Sequence, residues 1–328
     1  MAHEIDLTTG RAAMAYAGET PWHGLGERID ARASIEEWQR AAGMDWTIKD
    51  TPILFAPEGG AGPVEAELTR KVLYRSDTKA ALSVVGDRYN VVQPSEVLEF
   101  FRDLTEAGGF EMSTAGVLHA GKKLWALAKI GEDGLIGKKD RVRGNVLLVT
   151  SCDGSMATTA KLVSERVVCA NTLRMAMGED GDEVRIVHST KFDAAAVKEQ
   201  LGLAANAWDT FMQQARELAK VKLTDSKALA VLREGFADGI DADYETMEFD
   251  KFGALPTVEK VMALYKGGGR GSDLASANGT AWGLVNAVTE FYDHHVKAKL
   301  VDTRLESAWF GKGAWVKGCV FDQALTLI

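Results

Sequence analysis

The chain has 328 residues, 46% of them hydrophobic and 26% charged, with a formal net charge of −9. That length predicts two or three domains, or one large one with additions, with a sizeable core, and the composition excludes global disorder, collagen-like repeats and a disulfide scaffold. No apolar run reaches about 18 residues, the opening residues lack a basic and apolar leader pattern, and Cys152, Cys169 and Cys319 include no close pair, so a cytoplasmic chain without a membrane span, signal peptide or structural zinc is expected.

The N-terminal stretch reads as an extended arm or cap around Pro21-Trp22-His23-Gly24-Leu25-Gly26. Ser34 and Glu37 form a capping-box pattern, and Ile35, Trp38 and Ala42 follow at helical spacing, which predicts a short helix over 34–43. Proline and glycine make 52–63 a loop. Residues 70–76, 80–86 and 88–92 read as short strands. Pro94 and Ser95 open a helix with Val97, Leu98, Phe101 and Leu104 on one face, closed by Gly108-Gly109.

Segments 110–118, 122–130, 144–151 and 156–163 are rich in Val, Leu and Thr. They predict an antiparallel meander, with Asp153-Gly154 as a two-residue hairpin turn. A strand-like segment, Glu183 to Ser189, precedes a long helix over 193–220. There Val197, Leu201, Ala204, Trp208, Phe211, Ala215 and Leu218 recur in alternating steps of four and three, a heptad seam that lies across the sheet or meets another helix or subunit. Helices at 224–235, 257–266 and 278–295 alternate with an acidic connector, Asp238 to Asp250, and the glycine-rich string Gly267 to Gly271. The expected fold class is α+β: a central antiparallel β-meander packed on a long helix, with a mixed N-terminal region and a helical C-terminal region. The expected regions are 1–115, 116–222 and 223–328.

Charge is unevenly placed. Residues 1–115 carry 11 basic and 19 acidic side chains, 116–175 carry 10 and 5, 176–256 carry 9 and 16, and 257–328 carry 8 and 7. Local charge decides where a polyanion docks, so the island at 116–175 is a candidate surface. In the strand 122–130, Leu124, Ala126, Ala128 and Ile130 point to a core face, and Lys123, Trp125, Leu127 and Lys129 point away from it. On an open face, lysines would hold phosphates and the indole would stack a base. Lys122, Lys138, Lys139, Arg141, Arg143, Lys161, Arg166 and Arg174 extend this surface, and Lys266 and Arg270 flank or sit in the glycine string. Two further readings stay open: another helix covers Trp125 with the lysines arranged around it, and the glycine string, which no GxxxxGK[ST] pattern follows, is a linker. No histidine spacing fits a metal. Asp293-His294-His295 reads as a solvated helix end and Cys169 as a small buried thiol. No carboxylate pair demands acid–base catalysis, so no catalytic residue, metal or cofactor is expected.

Met1-Ala2-His3-Glu4, Pro21-Trp22-His23-Gly24-Leu25-Gly26, Asp87-Arg88-Tyr89-Asn90-Val91-Val92-Gln93, Arg166-Val167-Val168-Cys169-Ala170-Asn171-Thr172-Leu173 and Gly279-Thr280-Ala281-Trp282-Gly283 together resemble the phage/plasmid-like proteins of phages, prophages and plasmids. The resemblance spans almost the whole chain. It implies a mobile-element protein in a bacterial cytoplasm and supplies no catalytic residues. By architecture alone, a basic sheet backed by a long helix is similar to the ring-forming Rad fifty-two class of single-strand annealing proteins. That likeness implies a single-stranded DNA-binding and annealing protein of phage recombination or replication, largely sequence-independent and free of nucleotide cofactor. It would act as a homo-oligomeric ring or filament, alongside a phage exonuclease or a host single-strand binding protein. An alternative is an acidic protein-binding module, a host-defence inhibitor or replication accessory factor, working through 1–115 and 238–250. A third is a metal-dependent nuclease.

Overall fold

The computed structural model describes residues 5–18, 20–21, 24–60, 62–106, 110–131, 133–166, 171–174, 183–201, 204–296, 304–309 and 311–328. The N-terminal part runs β1 (Met14–Tyr16), β2 (Glu27–Arg28), α1 (Ile35–Ala41), β3 (Ile48–Phe55), β4 (Val64–Arg75), β5 (Ala81–Gly86), α2 (Pro94–Glu99) and α3 (Arg102–Glu106). The middle is strand-rich: β6 (Glu111–Leu118), β7 (Lys123–Lys129), β8 (Gly134–Ile136), β9 (Asp140–Ser151), β10 (Thr158–Arg166), β11 (Asn171–Arg174) and β12 (Glu183–Ile186). Helices follow: α4 (Ala194–Leu201), α5 (Ala204–Leu218), α6 (Asp225–Gly239), α7 (Phe249–Gly253), α8 (Pro256–Ala263), α9 (Ala281–Glu290), α10 (Arg304–Trp309) and α11 (Lys312–Leu325). The fold is α+β with a helical C-terminal part. No helix among the described residues is long and apolar enough to cross a membrane.

The large sheet has the order β11-β10-β9-β7-β6-β1-β2, with β12 also on β10 and β8 also on β9. This sheet has nine described strands, where the sequence predicts the four of the meander and the segment from Glu183, which is β12. The N-terminal stretch is no loose cap, because β1 pairs antiparallel with β6 and parallel with β2. A smaller sheet, β3-β4-β5, stands beside it. Arg75 at the end of β4 is buried and roots that sheet. Its guanidinium contacts Asp6 at 2.5 Å and Asp77 at 2.8 Å and lies 4.2 Å from the Trp46 ring centre.

Local chemistry explains several elements. Ser34 caps α1: its hydroxyl accepts from the Glu37 amide at 3.2 Å, and the Glu37 carboxylate accepts from the Ser34 amide at 2.9 Å. The string 279–283 turns a loop into α9. Gly279 takes φ +64°, and Thr280 accepts from the Gly283 amide at 3.0 Å. A Cβ on Gly283 would lie 1.8 Å from the Ala277 carbonyl oxygen, so only glycine lets the loop pass this close.

Other expectations change. Residues 52–63 are not wholly loop, since β3 continues through Pro52 to Phe55. Residues 88–92 form no strand. Their polar groups turn aside from any ladder: the Asn90 amide donates to the His188 carbonyl at 2.6 Å, and the Tyr89 hydroxyl to that of Ser151 at 3.0 Å. The β9–β10 connection runs from Ser151 to Thr158, longer than a two-residue turn, because the Ser151 hydroxyl bridges to Met156 across its mouth at 2.9 Å. The helical stretch 193–220 comprises α4 and α5, with 202–203 outside the described residues. Asp293 is no solvated helix end, for it is buried against Lys317 at 2.5 Å. Burial pushes that ammonium below its ordinary value, and the carboxylate opposes the shift.

One buried polar node joins sheet to helices. Asp140, first residue of β9, accepts from Arg166 at 2.7 and 2.9 Å, from the Ser276 hydroxyl at 2.7 Å and from the Trp282 indole at 3.1 Å. Arg166 also donates to the carbonyls of Arg270 at 3.4 Å and Gly271 at 3.0 Å. Removing the carboxylate strands a buried guanidinium. Asp140→Ala is therefore expected to lower unfolding free energy by about 3–5 kcal/mol in urea titration, and an unchanged midpoint overturns this role. The Arg75 hydrogen bond holds the Asp77 carboxyl below its ordinary value of 3.8. Its contribution to stability is full above that value and lost as pH falls through the folded one, so Asp77→Asn should flatten the acid limb of a circular-dichroism stability curve.

Candidate nucleic-acid interface

Strand β7 alternates as its sequence predicts on one side. Leu124, Ala126 and Ala128 enter the main core, together with Phe211, Trp282 and Phe321. The opposite side is not open. Trp125 is 1% exposed and packs with Met14, Tyr16, Leu118 and Val149. Trp309 of α10 meets it edge-on at 5.3 Å and also covers Leu127, Leu147 and Val163. Trp125 is therefore unavailable to stack a base, and the covering alternative holds. A signal for this exists in the sequence: Val146, Leu147, Leu148 and Val149 are apolar at consecutive positions, the pattern of a strand buried on both faces.

The expected cations separate into distinct sets. Lys123 is buried at 4% exposure. Burial works to raise the neighbouring Asp153 carboxyl, yet hydrogen bonds from Ser155, the Lys123 charge and a hydrogen bond from Ser151 together hold it below its ordinary value. Lys161 is buried and donates to the Trp309 carbonyl at 2.5 Å. Arg166 is committed to Asp140. These three do not line an accessible surface, since each serves the covered face or the polar node. Lys122 is half-buried on the turn before β7. Arg174 lies on β11, and its side chain falls outside the described residues, as does Cys169.

The glycine string is neither a free phosphate cradle nor a plain linker. The Arg270 amide donates to Glu290 at 2.9 Å, and Lys266 is ion-paired with Asp225 at 2.6 Å. Carbonyls 270 and 271 are held by Arg166.

What remains gathers on the β8–β9 hairpin. Pairing of Leu135 with Arg141 and of Ile136 with Asp140 leaves Gly137, Lys138 and Lys139 as an exposed tip. Gly137 has φ +64°, which the tight reversal requires. Arg141 and Arg143 alternate with buried Val142, so both leave the core face. Asp133 draws three cations together: Lys129 at 2.8 Å, Arg141 at 3.5 Å and Arg143 at 3.5 Å. Arg216 of α5 joins them through the Leu135 carbonyl at 3.1 Å, and Glu165 sits across the ladder from Arg143. Six cations thus face two described carboxylates. On the core side of the same hairpin, Trp208 packs against Gly134 and Gly144. A Cβ on Gly144 would lie 2.8 Å from that ring.

Among the described residues, no group of three or more His, Cys, Asp or Glu side chains is placed to hold a metal ion. Burial pushes the Cys152 thiol up to about 12, away from nucleophilic use. A surface cleft lined by Arg28, Asp30, Arg32 and Glu111 has Arg32 paired with Glu111 at 3.2 Å.

A family model described as Domain of unknown function (DUF932) matches residues 81–309. No curated protein and no solved structure matches the chain. The burial of Trp125 carries its own expectation. Trp125→Ala should cost about 3–5 kcal/mol of stability, read as a lowered thermal midpoint, because it opens a cavity beneath Trp309. An unchanged midpoint would mean an uncovered face.

Proposed function

We propose, for a chain that belongs to the DUF932 family, that it binds the backbone of single-stranded DNA at the β8–β9 hairpin and promotes annealing without a nucleotide cofactor. The observation that carries this reading is the collection of Lys129, Lys138, Lys139, Arg141 and Arg143 at one uncovered end of the large sheet. Asp133 holds three of them at fixed spacing without neutralising the group, and the tip lysines extend beyond it. Such a cluster displaces condensed counterions from a polyphosphate, which favours association at low salt. With Trp125 buried, β7 offers no ring for base stacking. The contacts then fall on phosphates, sequence goes unread and the bases stay free to pair. Duplex formation supplies the driving free energy for annealing. The strings shared with phage/plasmid-like proteins support a phage, prophage or plasmid setting in a bacterial cytoplasm.

The acidic segment 238–250 favours a second reading. Asp241, Asp243, Glu245, Glu248 and Asp250 are all exposed there, as a protein-binding module requires.

Fluorescence anisotropy with a labelled oligonucleotide separates the two. With four to five phosphates neutralised, affinity should fall about 50- to 100-fold between about 50 and 200 mM salt. Lys138→Glu/Lys139→Glu/Arg141→Glu should weaken binding at least about tenfold for every sequence and flatten the salt slope. No binding at low salt, or binding indifferent to salt, sinks the DNA reading. A stoichiometric protein partner without DNA binding establishes the second.

A further inference from the structure

The β3–β4 ribbon projects beyond its sheet. Strand β5 pairs with β4 only from Arg70 to Tyr74, so the outer part, Ile53–Phe55 against Val64–Glu67, is two-stranded and unsupported. Nearly every described residue from 51 to 67 is exposed there. The end of this arm is apolar on both faces. Phe55 and Val64 form a cross-strand pair, 50% and 48% exposed, and Leu54, 57% exposed, lies opposite Glu65 on the other face. Apolar surface shown on two faces of one projection is more than the scattered exposure usual for a soluble surface. The arm is also acidic. Residues 50–69 contain Asp50, Glu58, Glu65 and Glu67 and no lysine or arginine.

A matching surface exists on the same chain. The β8–β9 hairpin presents Leu135, 46% exposed, beside Lys138, Lys139, Arg141 and Arg216. Each surface pairs an exposed apolar anchor with charges of one sign, and the signs are opposite. Both surfaces are exposed in the single chain.

We propose that the acidic arm of one copy docks on the basic hairpin of a second copy. The contact joins two different patches, so a pair of copies keeps one free hairpin on one copy and one free arm on the other. Repetition therefore builds a ring where the rotation closes and a filament where it does not. Opposite charges set the pairing and its rate, and Phe55, Val64 and Leu54 against Leu135 supply apolar burial. The arm carboxylates occupy the surface that phosphates would take. A DNA strand and a neighbouring arm then compete for one hairpin. The contact stands without DNA, whereas this competition rests on the reading proposed above.

Charge complementation tests the contact directly, because it rescues only a specific pairing. Molar mass is followed by light scattering over a concentration series at low salt. The wild type should grow in mass with concentration and revert at high salt. Glu58→Lys/Glu65→Lys/Glu67→Lys gives a basic arm facing a basic hairpin, and Lys138→Glu/Lys139→Glu/Arg141→Glu gives an acidic arm facing an acidic hairpin. Each alone should associate at least tenfold more weakly than wild type, and an equimolar mixture should recover association. Leu54→Ser/Phe55→Ser should weaken assembly with charges intact. The described side chains among these positions are exposed, and an unchanged circular-dichroism melt confirms folding. A wild type that stays monomeric throughout, or a mixture that fails to recover, overturns the contact. Added oligonucleotide should dissociate the wild-type assembly. An assembly that is complemented by charge yet untouched by oligonucleotide overturns the DNA reading and leaves the contact standing. A constant monomer that binds DNA overturns the contact and leaves the DNA reading standing.

Discussion

The pairing of Asp140 with Arg166 sets the terms for the rest of the molecule. The two residues lie on neighbouring strands of the large sheet, and both are buried. Alone, such a pair would recover little of its desolvation cost. Here the polar groups are used: the carboxylate also accepts hydrogen bonds from Ser276 and Trp282, and the guanidinium also donates to two loop carbonyls. A fully satisfied network tolerates one geometry. It fixes the loop over 267–280 and the start of α9 against β9 and β10. It also fixes the root of the β8–β9 hairpin, because Asp140 is where β9 begins.

That node divides the chain's basic residues into those that build and those that face outward. Arg166, Lys161 and Lys123 are inside, each occupied by a carboxylate, a carbonyl or a covered face. The hairpin cations stand outside at the far end of the same sheet. Trp309 marks the division, since the strands beneath it are sealed while Lys129, Arg141 and Arg143 lie past its edge. A net negative chain thus keeps one compact positive end, where Asp133 pairs with three of the cations.

Much of the secondary structure was legible because its causes are local. The Ser34–Glu37 box, the Pro94 helix start and the alternation of Leu124, Ala126 and Ala128 depend on neighbours within a few residues, and each appears as its spacing predicts. The irregular segment 88–92 departs from its strand-like pattern because its partners, His188 and Ser151, are remote in sequence. Which of the two readings of the outer face of β7 holds is likewise decided from afar, as its cover arrives from residue 309. Composition located the basic island but could not assign its members, since burial of Arg166 depends on Asp140, 26 residues away, and on a loop a hundred residues further on. The hairpin cations survive for local reasons: Lys138 and Lys139 sit in the turn after Gly137, and Arg141 and Arg143 alternate with buried Val142.

The broken register in β3 bears on how such an arm is tolerated. Pairing slips on both sides of Ile53, and Pro52 precedes it on an edge strand. A flat, continuous ladder ending in Leu54 and Phe55 would invite like strands to stack edge to edge into insoluble fibrils. The bulge twists that edge, Pro52 withholds a donor from it, and the repelling carboxylates at 58 and 65 keep identical arms apart. The ribbon therefore carries its own safeguard against amyloid growth, and greasy side chains persist at its end without condemning the protein to precipitation.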